Sequence, residues 1–164
     1  MPDSDIKNGI EKYLQARKNI LELGRKHPER IGGNDNIIGR IGEFIALQFL
    51  ESIGQKPKKM LHSSNPGYDL IENDIQTQVK VITSENQKGR NVRLKKPWNQ
   101  FVLIELGEHY KPERIGVLTE QQHQIALSEN KGWSESPIVK LSMLGAKGLI
   151  GRYGTVYEKS RIAI

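Results

Sequence analysis

The chain has 164 residues and no cysteine, and its 25 Lys and Arg residues against 19 Asp and Glu residues give a formal charge of +6. This length favours one domain with its own core, and the absence of cysteine excludes disulfides and thiolate metal sites. The first residues include acids and no apolar run, and no segment reaches the roughly 20 apolar residues of a membrane span, so we expect a soluble, cytoplasmic protein that has no signal peptide and does not contact membranes.

The first third of the chain has the apolar spacing of helices. One helix is predicted to end near Arg25, and a second is predicted over residues 37–53. Asp35 or Asn36 is the expected N-cap of the second helix, and Gly54 is its expected stop. The second helix is apolar around much of its circumference, so we expect it to be buried.

After Gly54 the sequence alternates between apolar and polar residues, as strands do. A short helix should follow from Thr119, where Gln122 completes a capping box. This order predicts a sheet of mostly antiparallel strands with helices packed on it, in an α/β or α+β fold. The predicted strands are residues 59–62, 68–72, 75–83, 101–106 and 114–118.

The stretch "YDLIENDIQTQVK" predicts a hairpin with three polar side chains on one face. If Asn73 and Asp74 form a two-residue turn, Asp69 lies opposite Gln78, about 4.5–5.5 Å away between Cβ atoms. Lys80, two residues further along, should emerge on the same face. The other face of this strand is core-like and carries Ile75, Thr77, Val79 and Val81.

A carboxylate, an amide and an ammonium at one place have a specific chemical use. Carboxylate and carbonyl oxygens suit Mg²⁺ or Mn²⁺, and a neighbouring lysine can orient or deprotonate a water and stabilise developing charge. The pattern therefore favours a site that hydrolyses phosphodiesters. The alternative is a polar strand face that meets solvent.

These motifs resemble the PD-(D/E)xK nuclease superfamily, whose signature combines a proline-and-acid strand, an acid-x-Lys strand and a glutamate on the preceding helix. Here "NPGYDL" supplies Pro66 and Asp69, "QVK" supplies Gln78 and Lys80, and "IGRIGEFIALQFLESIG" supplies Glu43. The match spans residues 37–83.

Two departures from the signature stand out. Gly67 and Tyr68 separate the proline from the acid, and Gln78 replaces the usual second acid. The Gln-x-Lys form is typical of the Mrr-like restriction endonuclease branch. With one anionic ligand replaced, Glu43 gains importance.

Glu43 stands on a stripe of apolar or small residues, so its carboxylate needs a partner if it is buried. We expect that partner to be a metal ion or Lys80. The alternative is a surface glutamate flanked by Arg40. The stripe consists of Gly39, Ala46, Leu47 and Leu50.

The resemblance implies an α/β, restriction-endonuclease-like core with a central mixed sheet flanked by helices and an N-terminal helical segment. It implies a Mg²⁺- or Mn²⁺-dependent endonuclease of the restriction or defence type that acts on double-stranded DNA as a homodimer. Asp69 and Glu43 would bind the metal, and the catalytic residues would be Glu43, Asp69, Gln78 and Lys80. Residues 1–164 would form one domain, with an N-terminal helix over 1–30 as a candidate dimer interface, a catalytic core over 37–118, and a C-terminal helix and strands over 119–164.

Two basic runs stand near these motifs. The run "KGRNVRLKK" follows the Lys80 strand, so under this fold its side chains should contact DNA phosphates. The run "QKPKK", which ends at Lys59, is interpreted as a solvated surface loop, and Trp98 as a packing anchor. The predicted phosphate-binding residues are Lys88, Arg90, Arg93, Lys95 and Lys96.

Two other functions fit the same sequence. Because Gln78 replaces an acid, the chain could be a nuclease-fold module that binds nucleic acid without cutting it. It could also be a structure-selective nuclease of repair or recombination, which would prefer branched DNA to linear DNA. Metal binding through Asp69 separates the first alternative from the enzyme.

Overall fold

The computed structural model describes residues 2–32, 36–60, 68–83, 92–107 and 110–164, and these residues include five α-helices. They are α1 (Pro2–Lys26), α2 (Pro28–Ile31), α3 (Ile37–Ser52), α4 (Glu120–Glu129) and α5 (Leu149–Tyr153). No helix among the described residues is long and apolar enough to cross a membrane.

The helix ends follow local capping chemistry. The Asn36 side chain accepts a hydrogen bond from the Gly39 backbone N–H (2.7 Å), which confirms it as the N-cap of α3. Gly54 has a φ of 94° just beyond this helix, a conformation that glycine adopts without strain. The capping box of Thr119 and Gln122 is formed at the start of α4, as predicted.

A six-stranded mixed sheet is the centre of the fold, with its strands in chain order from one edge to the other. Neighbouring strands are antiparallel except β3 and β4, which are parallel. This agrees with the predicted mixed sheet flanked by helices. The strands are β1 (Lys58–Lys59), β2 (Leu70–Glu72), β3 (Ile75–Thr83), β4 (Gln100–Leu106), β5 (Pro112–Thr119) and β6 (Thr155–Glu158).

The β2–β3 hairpin has the predicted register up to Leu70, which pairs with Thr77. Asn73 has a φ of 52° in the turn, where asparagine is well tolerated. The predicted pairing of Asp69 with Gln78 is wrong. The Asp69 N–H donates to the Thr77 carbonyl (2.8 Å), so Asp69 and Leu70 both lie against one residue of β3, as in a β-bulge.

Both faces of the sheet are covered. Helix α3 packs on the face that carries Val79, Val102 and Ile104, while Ile82, Phe101 and Leu103 belong to a second cluster with Trp98 and Ala126 of α4. The prediction that one face of β3 is core-like is confirmed for Thr77 and Val79, and Val81 packs against the same cluster. It is wrong for Ile75, which is 42% exposed, and the other face is not simply polar. Residues of α4, α5 and the segments between them cover it.

A buried histidine connects α4 to this second cluster. His123 is 1% exposed, stacks on Trp98 (5.4 Å between ring centroids), and its Nε2 lies 3.1 Å from the Ser134 carbonyl. Removal from water is the main cause that lowers the pKa of His123 below its ordinary value of 6.5. The folded protein therefore holds this imidazole neutral more strongly than the unfolded chain does.

We expect the protein to lose stability as the pH falls below about 6.5, because the unfolded state then binds a proton that the folded state resists. His123→Phe keeps a ring beside Trp98 and removes the titration, so its free energy of unfolding should change less between neutral pH and about pH 5. The pKa of Glu120 is also lowered, chiefly by its hydrogen bond from Lys96, but that contribution is lost only below about 4.5. Urea unfolding at several pH values measures how steeply the free energy of unfolding depends on pH. An unchanged slope in His123→Phe would contradict the assignment, and the exposed His27→Gln is the control.

Candidate active site

A cleft opens at the edge of β3 where β2 ends. Beyond the Leu70–Thr77 pair, β3 continues to Thr83 with only β4 as a ladder partner among the described strands. The cleft has a volume of about 1340 Å³, and its walls come from α1, α3, β3 and residues 138–142. Because it lies at the open edge of a strand, residues from both faces of β3 line it. The charged residues that line it are Arg17, Glu43, Asp69, Lys80 and Lys140.

Asp69 is held at this edge by the backbone. Its Oδ2 accepts a hydrogen bond from the Val79 N–H (2.7 Å), and its carbonyl accepts one from the Met60 N–H (3.0 Å). The carboxylate thus takes the place of a backbone carbonyl that β2 would have supplied if it had continued. This contact orients the side chain at the cleft wall.

Glu43 is buried, which excludes the alternative of a surface glutamate, and its lysine partner is not Lys80. Its Oε2 forms an ion pair with the Nζ of Lys59 on β1, and the two side chains are 8% and 3% exposed. The expected partners were a metal ion or Lys80. The interpretation of "QKPKK" as a solvated surface loop is therefore wrong at Lys59, which points inward to α3.

The structure separates Gln78 from the other predicted catalytic residues. Gln78 is 6% exposed and does not line the cleft, whereas Lys80 does. Its Oε1 is buried without a hydrogen-bond partner in the described part of the chain. Of the predicted trio, Asp69 and Lys80 line the cleft and Gln78 does not. Glu43 of α3 lines the same cleft.

The basic run after β3 is only partly described, since Lys88 and Arg90 lie outside the described residues. Arg93 donates to the Ser136 carbonyl (2.9 Å), and Lys95 is exposed. Lys96 donates to the Glu120 carboxylate (2.6 Å) and lies 4.1 Å from the centroid of the Trp98 ring. Trp98 is 1% exposed, which confirms it as a packing anchor, and the contacts of Lys96 bind it to the protein itself.

Two further cations line the cleft and were missed in the sequence. Arg17 extends from α1 on the same face as Tyr13 and Ile20, at helical spacings that could have indicated a shared surface. Lys140 comes from the segment after the bridge between Arg93 and Ile138, which no local pattern connects with β3. Their approach to Lys80 depends on tertiary structure alone.

Two acidic residues line the cleft at which Mg²⁺ or Mn²⁺ was expected. Magnesium is commonly held by one or two carboxylates and keeps several waters, and Asp69 and Glu43 provide two carboxylates at one cleft. No cluster of three or more Asp, Glu, His or Cys residues that could bind a metal occurs among the described residues. Asp69 and Glu43 are therefore the two carboxylates, among the described residues, that line this cleft.

Neither protein-family models nor curated proteins match this chain.

Proposed function

We propose that this protein is a metal-dependent DNA endonuclease of the PD-(D/E)xK type, with a restriction-endonuclease-like core and a role in restriction or defence. The observation that carries the proposal is that Glu43 of α3, Asp69 just before β2 and Lys80 of β3 line one cleft. These residues supply the acids and the lysine that the resemblance requires, at an edge of the sheet where a substrate can enter.

In this proposal Asp69 is the principal metal ligand and Glu43 is the second, directly or through water. Mg²⁺ or Mn²⁺ supplies charge that polarises the phosphodiester and lowers the pKa of a bound water. Lys80 orients the attacking water or stabilises the negative charge that develops on the phosphate. The hydrogen bond from Val79 preorganises Asp69, so its carboxylate need not find its orientation during the reaction.

The charges around the acids suit a nucleic-acid backbone. Arg17 and Lys140 line the same cleft as Lys80, so phosphates on either side of the scissile bond would meet cations. Phosphate contacts of this kind position a duplex without reading its sequence. A homodimer would place two such sites on opposite strands, and α1 remains the proposed interface, since Ile6 and Leu23 are exposed on it.

The test is cleavage of supercoiled and linear DNA with Mg²⁺ or Mn²⁺. We expect the wild type to cut, and Lys80→Ala to cut slower by on the order of 10²–10³-fold because charge stabilisation at the phosphate is lost. Lys131→Ala removes an exposed lysine away from the cleft and should cut like the wild type. A Lys80→Ala variant as active as the wild type would contradict the role of Lys80. Preferential cutting of branched DNA would instead support a structure-selective nuclease.

The second candidate is a nuclease-fold module that binds DNA without cutting it. It is favoured by the Glu43–Lys59 ion pair and by the position of Gln78 outside the cleft, since both reduce the ligands offered to a metal. Calorimetric titration with Mn²⁺ separates the two functions. The enzyme should bind Mn²⁺ through Asp69, and the module should bind DNA but no Mn²⁺.

A further inference from the structure

The Glu43–Lys59 pair is the most deeply buried pair of opposite charges among the described residues. It joins α3 to β1 next to the proposed metal site. Lys59 pairs with Leu70 in the sheet, and the next residue, Met60, donates its N–H to the Asp69 carbonyl (3.0 Å). The backbones of Lys59 and Asp69 are therefore fixed side by side, and Glu43 lies against the Lys59 ammonium at the same cleft.

Stability alone does not explain such a pair well. Taking two ions out of water is costly, and well-packed apolar residues of similar volume often stabilise a protein as well or better. The other cation–carboxylate pairs of the described chain, such as Arg30–Glu51 and Lys96–Glu120, are far more exposed. Glu43 lines the cleft, and the Lys59 ammonium contacts one oxygen of the carboxylate that a cation there would need.

We propose that Lys59 is a positioning residue that competes with the divalent cation for Glu43. Its ammonium holds the carboxylate in the metal-free protein and releases it when the cation binds. This inference rests on the proposed metal site, but it concerns cation binding and not cleavage.

The charges determine whether Lys59 strengthens or weakens the binding of a divalent cation. With Lys59 in place, the carboxylates of Asp69 and Glu43 together with the ammonium carry a net charge of −1. Without the ammonium they carry −2, so a divalent cation is attracted more strongly and no longer has to displace a bound partner. Lys59 therefore weakens cation binding, and its removal should strengthen it.

The experiment measures Mn²⁺ binding by calorimetry and thermal unfolding with and without Mn²⁺, on the full chain. Lys59→Met preserves most of the side-chain volume and removes the charge, so we expect Mn²⁺ to bind about tenfold more tightly than to the wild type. Mn²⁺ should also raise the unfolding temperature of Lys59→Met more than that of the wild type, because the cation neutralises an unpaired buried carboxylate. Lys59→Arg keeps the positive charge and should bind Mn²⁺ like the wild type.

The matched control is the double variant Glu43→Gln with Lys59→Met, which removes both charges and should fold without an unpaired ion. It should show no gain in Mn²⁺ affinity over the wild type. If Lys59→Met binds Mn²⁺ no more tightly than this double variant, the inference is overturned. If the wild type cuts DNA at the same time, the proposed function stands and only the role of Lys59 fails.

A second measurement needs no variant, which matters if Lys59→Met does not fold. Amine-reactive labelling of the wild type, read by mass spectrometry, reports how accessible the Lys59 ammonium is. We expect slow labelling in the metal-free protein, because the side chain is buried, and faster labelling once Mn²⁺ or Ca²⁺ is added. A rate that metal leaves unchanged, in a protein shown by calorimetry to bind that metal, overturns the inference.

Discussion

Asp69→Asn is expected to reduce metal-dependent cleavage by on the order of 10³-fold while the protein keeps nearly its full stability. The asparagine side chain retains an oxygen that can accept the Val79 N–H, which Asp69 Oδ2 accepts at 2.7 Å. What it loses is the negative charge that a divalent cation needs. The two roles of this side chain, as a backbone acceptor and as a metal ligand, are therefore separable. Cleavage assays with Mg²⁺ and urea unfolding of the same samples measure both.

Asp69→Ala should lose cleavage as well, and it should also be less stable by about 1–3 kcal/mol, because the buried Val79 N–H loses its acceptor. Asp74→Asn makes the same chemical change as Asp69→Asn at an exposed turn residue of the same hairpin, and should leave both cleavage and stability unchanged. Equal cleavage by Asp69→Asn and the wild type would exclude Asp69 as the principal metal ligand.

Gly42→Ala should destabilise the protein by about 1–3 kcal/mol, an overpacking effect at the contact between α3 and β3. A Cβ atom at Gly42 would come within 1.9 Å of the Val81 Cγ2, far closer than two carbon atoms approach without a shift. Val81 is β-branched and has little rotamer freedom to give way. Since Gly42 precedes Glu43, movement of α3 would also displace Glu43 from Lys59 and the cleft, and we expect slower cleavage.

Two comparisons make this prediction specific. Gly9→Ala is the matched control, because Gly9 is also helical but has nothing within 4 Å of its Cβ position. It should be neutral or stabilising by roughly 0.5–1 kcal/mol. Adding Val81→Ala to Gly42→Ala removes the clashing methyl groups and should recover part of the loss. If Gly42→Ala is as stable as Gly9→Ala in urea unfolding, α3 does not pack on β3 as closely as the structure places it.

Much of the fold follows from short-range chemistry. The asparagine cap of α3, the capping box of α4 and the glycine after α3 depend on residues within one helical turn of each other, so the sequence predicts them to within one residue. The limits of β3 were predicted at residues 75–83 because an alternating pattern runs unbroken from the turn. Strand β1 was the exception, since its two residues are too few to show a pattern.

The candidate site was predicted less completely, and the wrong placement of Gln78 had a single cause. The sequence indicated Glu43, Asp69 and Lys80, which line one cleft, but a regular ladder carried past Leu70 also placed Gln78 with them. A bulge at Asp69 ends that regularity, and bulges leave no period in the sequence. The strand-edge location of the cleft then lets side chains from opposite faces of β3 border the same space.

Contacts between distant segments account for the residues of the site that the sequence did not reveal. Lys59 belongs to a run of lysines that the sequence presents as a surface loop, and only the pairing of β1 with β2 beneath α3 turns its side chain toward Glu43. Arg17 and Lys140 are more than 120 residues apart and reach the same cleft. By itself the sequence determined the helix caps, the hairpin and the identity of three cleft residues, because local periodicity and capping encode them. Tertiary structure decided the charge partners and the open strand edge. A buried ion requires a partner of opposite charge, but the sequence does not show which distant residue that partner is.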